Sequence, residues 1–134
     1  TGALGLEAFS RGAKKVTFVE KNKEYLQKIK KNYLTMSEKT NCDFFCSECL
    51  DWVKNNSTQT KYDLIFIDPP FNESLIDNLL TEILEKRLLS KGGKIYFEFE
   101  KKLDLKIPKS LKMKKKKSLG RKSYILAETT CPSS

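Results

Sequence analysis

The chain has 134 residues, a net charge of +9 and no histidine. That length fits one compact domain, and a hydrophobic fraction of 39% is enough to build a core. The missing imidazole excludes His-ligated metal centres and every Ser–His or Cys–His catalytic pair. The sequence shows no signal-peptide pattern, no bilayer-spanning apolar run and no internal repeat, so it reads as soluble and cytoplasmic.

In chain order, helices and strands alternate with short connections, which predicts an α/β fold with a mainly parallel, doubly wound sheet. Thr1-Gly2-Ala3-Leu4-Gly5 runs into a short helix from Leu6 to Arg11, closed by Gly12. Val16 to Glu20 is a buried strand with an acid at its end. Asn22 caps a helix carrying Tyr25, Leu26, Ile29 and Tyr33 on one face. Asp43 to Cys46 is the next strand, and its Phe44-Phe45-Cys46 run suggests burial. Leu50, Trp52 and Val53 belong to a short helix. Tyr62 to Ile67 is almost continuously apolar, as expected of a strand buried on both faces. It leads into Asp68-Pro69-Pro70-Phe71. Leu75, Leu79, Ile83 and Leu84 fall at helical spacing. Gly92-Gly93 turns the chain into Ile95 to Phe99. Leu111 to Lys117 then pairs across Ser118-Leu119-Gly120 with Ser123 to Ala127 as an antiparallel hairpin. Residues 129–134 are expected to fray, which leaves 1–128 as the domain.

The charge is concentrated. Residues 101–124 hold eleven Lys and Arg against one acid, Asp104, while the remaining residues hold fifteen basic and sixteen acidic side chains. Such a local excess is suited to a polyanion, with Lys114, Lys115, Lys116, Lys117, Arg121 and Lys122 as the candidate nucleic-acid contacts. Lysines that protect an edge strand give the same run. Of the four cysteines, Cys42, Cys46 and Cys49 are spaced like a radical-enzyme cluster triplet. Strand-to-helix placement keeps three thiols from converging, and Glu48 stands where those enzymes carry an aromatic residue. No metal site is expected, and the cysteines read as reduced thiols.

Two features carry chemistry. Gly2 and Gly5 at a helix start allow close backbone approach to a ligand, and Glu20 at a strand tip can accept two hydrogen bonds from a ribose diol. That pair suits either a nicotinamide dinucleotide or S-adenosylmethionine. Asp68-Pro69-Pro70-Phe71 separates the two, because it follows a central strand at the end where such sheets bind ligands. The lone pair of an exocyclic base amine is delocalised into the ring. A carboxylate and a fixed backbone carbonyl accepting its two N–H bonds would draw the nitrogen toward tetrahedral geometry. The prolines stiffen the loop and remove a competing donor, and Phe71 offers a face for the base.

Together Thr1 to Ala8, Ser10 to Ala13, Phe18 to Asn22 and Asp68 to Phe71 closely resemble the RsmD family of bacterial methyltransferases, which act on N2 of a guanine in 16S ribosomal RNA. The resemblance runs through nearly the whole chain, including Gly120 and Tyr124 of the hairpin. It implies a Rossmann-like class I S-adenosylmethionine-dependent fold and guanine(966)-N(2)-type rRNA methylation in a small-subunit particle; a monomer working without a metal is the expectation. It further implies that Gly2, Ala3, Leu4 and Gly5 line the cofactor's methionine part. Glu20, with Lys21 and Asn22, would meet the ribose, and Glu48 with Cys49 would lie near the adenine amine. Asp68, Pro69, Pro70 and Phe71 would hold the guanine amine.

The chain departs from the family in lacking the first strand, the opening glycine of the cofactor loop and the N-terminal RNA-contacting extension. In this fold that strand lies between those ending at Glu20 and at Asp68. Its loss would hold these neighbours roughly 9–10 Å apart, with two rows of unpaired backbone groups. A fragment of a longer product, unstable as written, is the expectation. The rival readings are an adenine-N6 or cytosine-N4 DNA methyltransferase, a nicotinamide oxidoreductase and a non-catalytic RNA-binding remnant.

Overall fold

The computed structural model describes residues 14–34, 41–55, 61–67, 73–101 and 105–130. The expected glycine loop, the Leu6–Arg11 helix and Asp68 to Phe71 lie outside the described residues. Among these residues, six strands form one sheet in the order β2-β1-β3-β4-β6-β5: β1 Lys15–Glu20, β2 Asn41–Cys46, β3 Tyr62–Ile67, β4 Leu89–Glu100, β5 Leu111–Leu119 and β6 Lys122–Thr129. Strands β1 to β4 run parallel, and β6 and β5 finish the sheet antiparallel. Among the described residues, three helices connect them: α1 Lys23–Leu34, α2 Cys49–Asn55 and α3 Glu73–Glu85.

The expected central gap is not there. β1 pairs directly with β3, Val16 opposite Leu64 and Val19 opposite Ile67. The backbone groups that a gap would strand hydrogen-bond to each other, which removes the desolvation cost of leaving them unpaired.

Alternating strand residues divide the core into two layers. On one face Val19, Ile65, Ile67, Ile95, Phe97 and Ile125 pack against Trp52 and Val53 of α2 and against α3. On the other, Val16, Phe18, Leu64, Phe66, Tyr96 and Leu126 pack with Leu26 and Ile29 of α1. The second face is aromatic. Phe44, Phe18, Phe66, Tyr96 and Tyr124 make a row across five strands, with ring centroids 5.1, 4.5, 5.3 and 6.4 Å apart. These residues stand at matched or diagonal register positions, where cross-strand side chains meet.

Local chemistry accounts for the element boundaries. Asn22 Oδ1 accepts the Tyr25 amide at 3.0 Å, an N-cap for α1. Lys86 Nζ reaches the carbonyls of Val53 at 2.7 Å and Lys54 at 3.2 Å, closing the end of α2. The β5–β6 hairpin turns at Gly120-Arg121, and Gly120 supplies the positive φ of 62° that a II′-type turn requires at its first central residue.

Four expectations change. The buried stripe of α3 is Ile76, Leu79, Leu80 and Ile83, while Leu75 is exposed, because the sheet lies one residue further round the helix. Phe45 and Cys46 are exposed, since β2 is an edge strand rather than an interior one. Gly92 and Gly93 lie inside β4, at a register shift against β3, rather than in a turn before the strand. Thr129 does not fray. It is buried as the last residue of β6, and the following Thr130 amide donates to the Ser110 carbonyl at 2.8 Å.

Candidate active site

Parallel pairing brings the carboxyl ends of β1, β3 and β4 to one edge, and there a cleft of about 310 Å³ opens on the aromatic face. Phe18, Phe66 and Tyr96 form its floor. Glu20 and Asn22 stand at one side, Glu98 and Lys122 at the other. Each acid ends or nearly ends an apolar strand and points to the same face as that strand's aromatic residue two positions earlier.

Glu20 is held by its own turn: Oε1 accepts the Asn22 amide at 3.1 Å. The Glu20 carbonyl accepts the Ser47 amide at 3.2 Å, which fixes the end of β2 beside it. The Glu98 side chain is only 18% exposed and lies 3.9 Å from Lys122 Nζ. Burial raises the Tyr96 phenol's pKa, and the neighbouring charge of Glu98 adds to this. Tyr96 therefore stays neutral and can serve as apolar floor.

The opposite end of the strands is closed. Asp63 Oδ2 accepts the amides of Lys14 at 2.9 Å and Lys15 at 2.8 Å, and Oδ1 accepts the Ser90 hydroxyl at 2.6 Å. Burial alone would raise the Asp63 pKa. The Ser90 hydroxyl and the two amides outweigh it and hold the carboxyl below its ordinary range. The Tyr62 hydroxyl donates to Asp43 at 3.1 Å, and burial followed by that carboxylate's charge pushes its pKa up to about 12.

The profile of the family described as conserved hypothetical protein 95 matches residues 1–128. The chain belongs to this family. A Haemophilus influenzae relative, ribosomal RNA small subunit methyltransferase D, is 35% identical over 127 residues, which is 94% of this chain and 66% of that protein. A namesake from Buchnera aphidicola is 34% identical over 117 residues, covering 87% of this chain and 60% of the relative. The chain thus spans under two thirds of the length of these curated relatives. A solved Haemophilus influenzae structure, provisionally designated a methylase, aligns with TM-score 0.66 at 35% identity over 96% of this chain and 80% of its own. The family resemblance read from the motifs therefore holds, and so does the α/β fold with its antiparallel finish.

Within this family member, the structure brings some of the sequence-selected residues together and separates others. Glu20, Lys21 and Asn22 line the cleft. Cys49 does not. It is 3% exposed and packs in the core with Val19, Trp52 and Val53 on the far face of the sheet. Glu48 is exposed just before α2, where its carbonyl accepts the Trp52 amide at 2.9 Å. Cys46 is exposed, with its thiol 3.6 Å from the Lys21 carbonyl, so it and Cys49 occupy separate environments.

The basic run divides as well. Lys122 lines the cleft and Lys117 sits opposite Tyr124 near the same end. Lys114 is at the bulge of β5 toward the other end, ion-paired with Glu128 at 3.5 Å. Lys115 and Lys116 are exposed on opposite faces of β5, Lys115 on the cleft side. Arg121 is exposed in the hairpin turn. Sequence reasoning missed Glu98 and Tyr96. The signal was an acid interrupting the apolar Ile95-Tyr96-Phe97-Glu98-Phe99 run, the same pattern that drew attention to Glu20.

Proposed function

We propose that residues 1–128 form most of the catalytic domain of an S-adenosylmethionine-dependent methyltransferase acting on N2 of a guanine in 16S ribosomal RNA, within a small-subunit particle. One observation carries the reading. Glu20 and the end of β3, where the chain enters Asp68-Pro69-Pro70-Phe71, meet at one cleft, with Val19 paired to Ile67. Family membership and the names of the relatives support it.

The cleft fits the cofactor chemically. A carboxylate at a strand tip over an aromatic floor offers acceptors for a ribose diol and a flat apolar surface for a ring. Glu20 would accept the ribose hydroxyls, with Asn22 and Lys21 beside it. Gly2, Ala3, Leu4 and Gly5 would approach the methionine part through their backbone. Glu48 would lie by the adenine side, whereas the Cys49 side chain packs in the core. The bound cofactor supplies an electrophilic sulfonium methyl group.

The chain's own residues do the rest by positioning and electrostatics. Asp68 and the Pro69 carbonyl would accept the two N–H bonds of the guanine amine and localise its lone pair. Pro70 would stiffen the loop, and Phe71 would stack on the base. The localised lone pair would form the N–C bond with the methyl group that the cofactor would supply, the sulfur keeping the electrons of the S–C bond. The amine proton leaves toward Asp68 and then solvent.

The test is transfer of labelled methyl from S-adenosylmethionine to small-subunit particles lacking guanine-N2 methylation. Asp68→Ala should lower turnover by about 10²–10³, as for loss of one preorganised electrostatic partner. Near-normal turnover in that variant sinks the assignment of Asp68. Methyl transfer to DNA in place of the particle would hand the site to the DNA-modifying reading.

A further inference from the structure

We infer that Glu98 is the residue that selects guanine, by accepting the base's N1–H while N2 is presented at the carboxyl end of β3; this rests on the methyltransferase reading above. The register places it. Phe66 pairs with Tyr96 and Ile67 with Phe97, so Glu98 is the next residue of β4 at the level where β3 ends. Glu20 follows Val19, which pairs with the same Ile67. The two residues therefore flank the end of β3 from opposite sides, their backbones about 10 Å apart at two strand spacings. Glu20 is turned toward its own strand end by the Asn22 amide, 3.1 Å from Oε1, whereas Glu98 lies beside Lys122 on β6. This arrangement assigns Glu20 to the cofactor and Glu98 to a second ligand.

The chemistry of Glu98 narrows that ligand. An ionised carboxylate accepts hydrogen bonds and cannot donate them. Guanine alone among the four RNA bases offers two adjacent donors, N1–H and an amine, on its Watson–Crick edge. Adenine and cytosine place an acceptor beside their amine, which a carboxylate would repel. The side chain is mostly buried at 18% exposure, so an unmatched acceptor there is penalised more than at a solvated surface. Tyr124 lies directly opposite Glu98, half-buried, with its ring stacked at 20° on that of Tyr96, so a flat surface adjoins the carboxylate. Lys122, 3.9 Å away and 55% exposed, stands beside Glu98 at the rim of the cleft.

The experiment compares kcat/KM for RNA carrying guanine at the target position with RNA carrying 2-aminopurine there. The analogue keeps the amine but has an unprotonated N1. The wild-type protein should favour guanine by about 10²-fold, the range for a buried acceptor facing another acceptor. Glu98→Gln, whose amide can donate to N1, should shrink that ratio at least tenfold while cofactor affinity stays the same. Glu98→Asp should lose rate but keep the preference. A ratio unmoved in Glu98→Gln, or equally shrunken in Lys122→Gln, overturns the inference and reduces Glu98 to a partner of Lys122. Wild-type protein that transfers no methyl to guanine N2 overturns the underlying reading, and the inference with it. Normal transfer with an unmoved ratio overturns the inference alone.

Discussion

At the amino ends of the parallel strands, Asp63 accepts two backbone amides and the Ser90 hydroxyl, and Tyr62 donates to Asp43. At the carboxyl ends, Glu20 and Glu98 face a cleft, one turned by the Asn22 amide and the other 3.9 Å from an exposed lysine. The residue types are alike and their uses differ. The base directs its acceptors inward and ties β1, β3 and β4 together. The mouth directs its acceptors to where a ligand can reach. Changes at the base should therefore cost stability, and changes at the mouth should cost binding and specificity.

The largest effect is expected at Gly93. A Cβ there would lie 2.8 Å from the Ser90 carbonyl and 3.0 Å from the Tyr62 carbonyl, both backbone atoms that cannot swing away. Gly93→Val should destabilise the fold by about 3 kcal/mol, read as a lower denaturant midpoint. A midpoint unchanged within error would show that β3 and β4 slide past each other freely at this end.

Asp63→Ala comes next, at about 2 kcal/mol for a carboxylate with several donors. Its sign with pH follows from the lowered pKa. The contribution is fully present above the ordinary carboxyl value of 3.8 and is lost as pH falls through the lower folded value. Wild-type and variant stabilities should therefore converge in acid. A difference that persists at low pH would trace the loss to packing instead.

Glu20→Ala inverts the pattern. Cofactor affinity should weaken by about 1.5–3 kcal/mol, while the unfolding midpoint moves by less than about 0.5 kcal/mol. Calorimetry with S-adenosylmethionine checks the first part, and an unchanged affinity would move the ribose site elsewhere. The smallest effect separates lysines of one strand. Lys117→Gln, near the mouth, should reduce the salt slope of RNA binding by about 0.7–0.9, the share of one phosphate contact. Lys114→Gln, paired with Glu128, should leave it nearly unchanged. Equal slopes in the two variants would return both lysines to a solvated edge.

Much of this fold was legible in the sequence because its strands and helices declare themselves locally. Tyr62 to Ile67 could be read as an interior strand because no polar residue but Asp63 interrupts it. Asn22 could be read as a cap from its side chain and the amphipathic run that follows. Glu20 was legible as a site residue because an acid at the tip of an apolar strand is costly unless it has a use. Glu98 carried the same signal more faintly, since Phe99 continues the apolar run beyond it.

What the sequence could not decide was who neighbours whom. Phe44-Phe45-Cys46 has the composition of an interior strand, yet among the described residues β2 has a strand partner on one side only, and Phe45 and Cys46 are exposed. Cys49 stands close to Glu48 in the chain but points into the opposite core layer, because the start of α2 turns it toward Trp52 and Val53. The direct pairing of β1 with β3 is the clearest case. Strand composition sets how apolar each face is, whereas the choice of partner depends on which backbone groups would otherwise be left without a hydrogen bond. Periodicity and capping are properties of a few adjacent residues. Sheet order, and the meeting of Glu20 with Glu98 across the end of β3, depend on contacts between residues nearly eighty positions apart, which only the folded chain brings together.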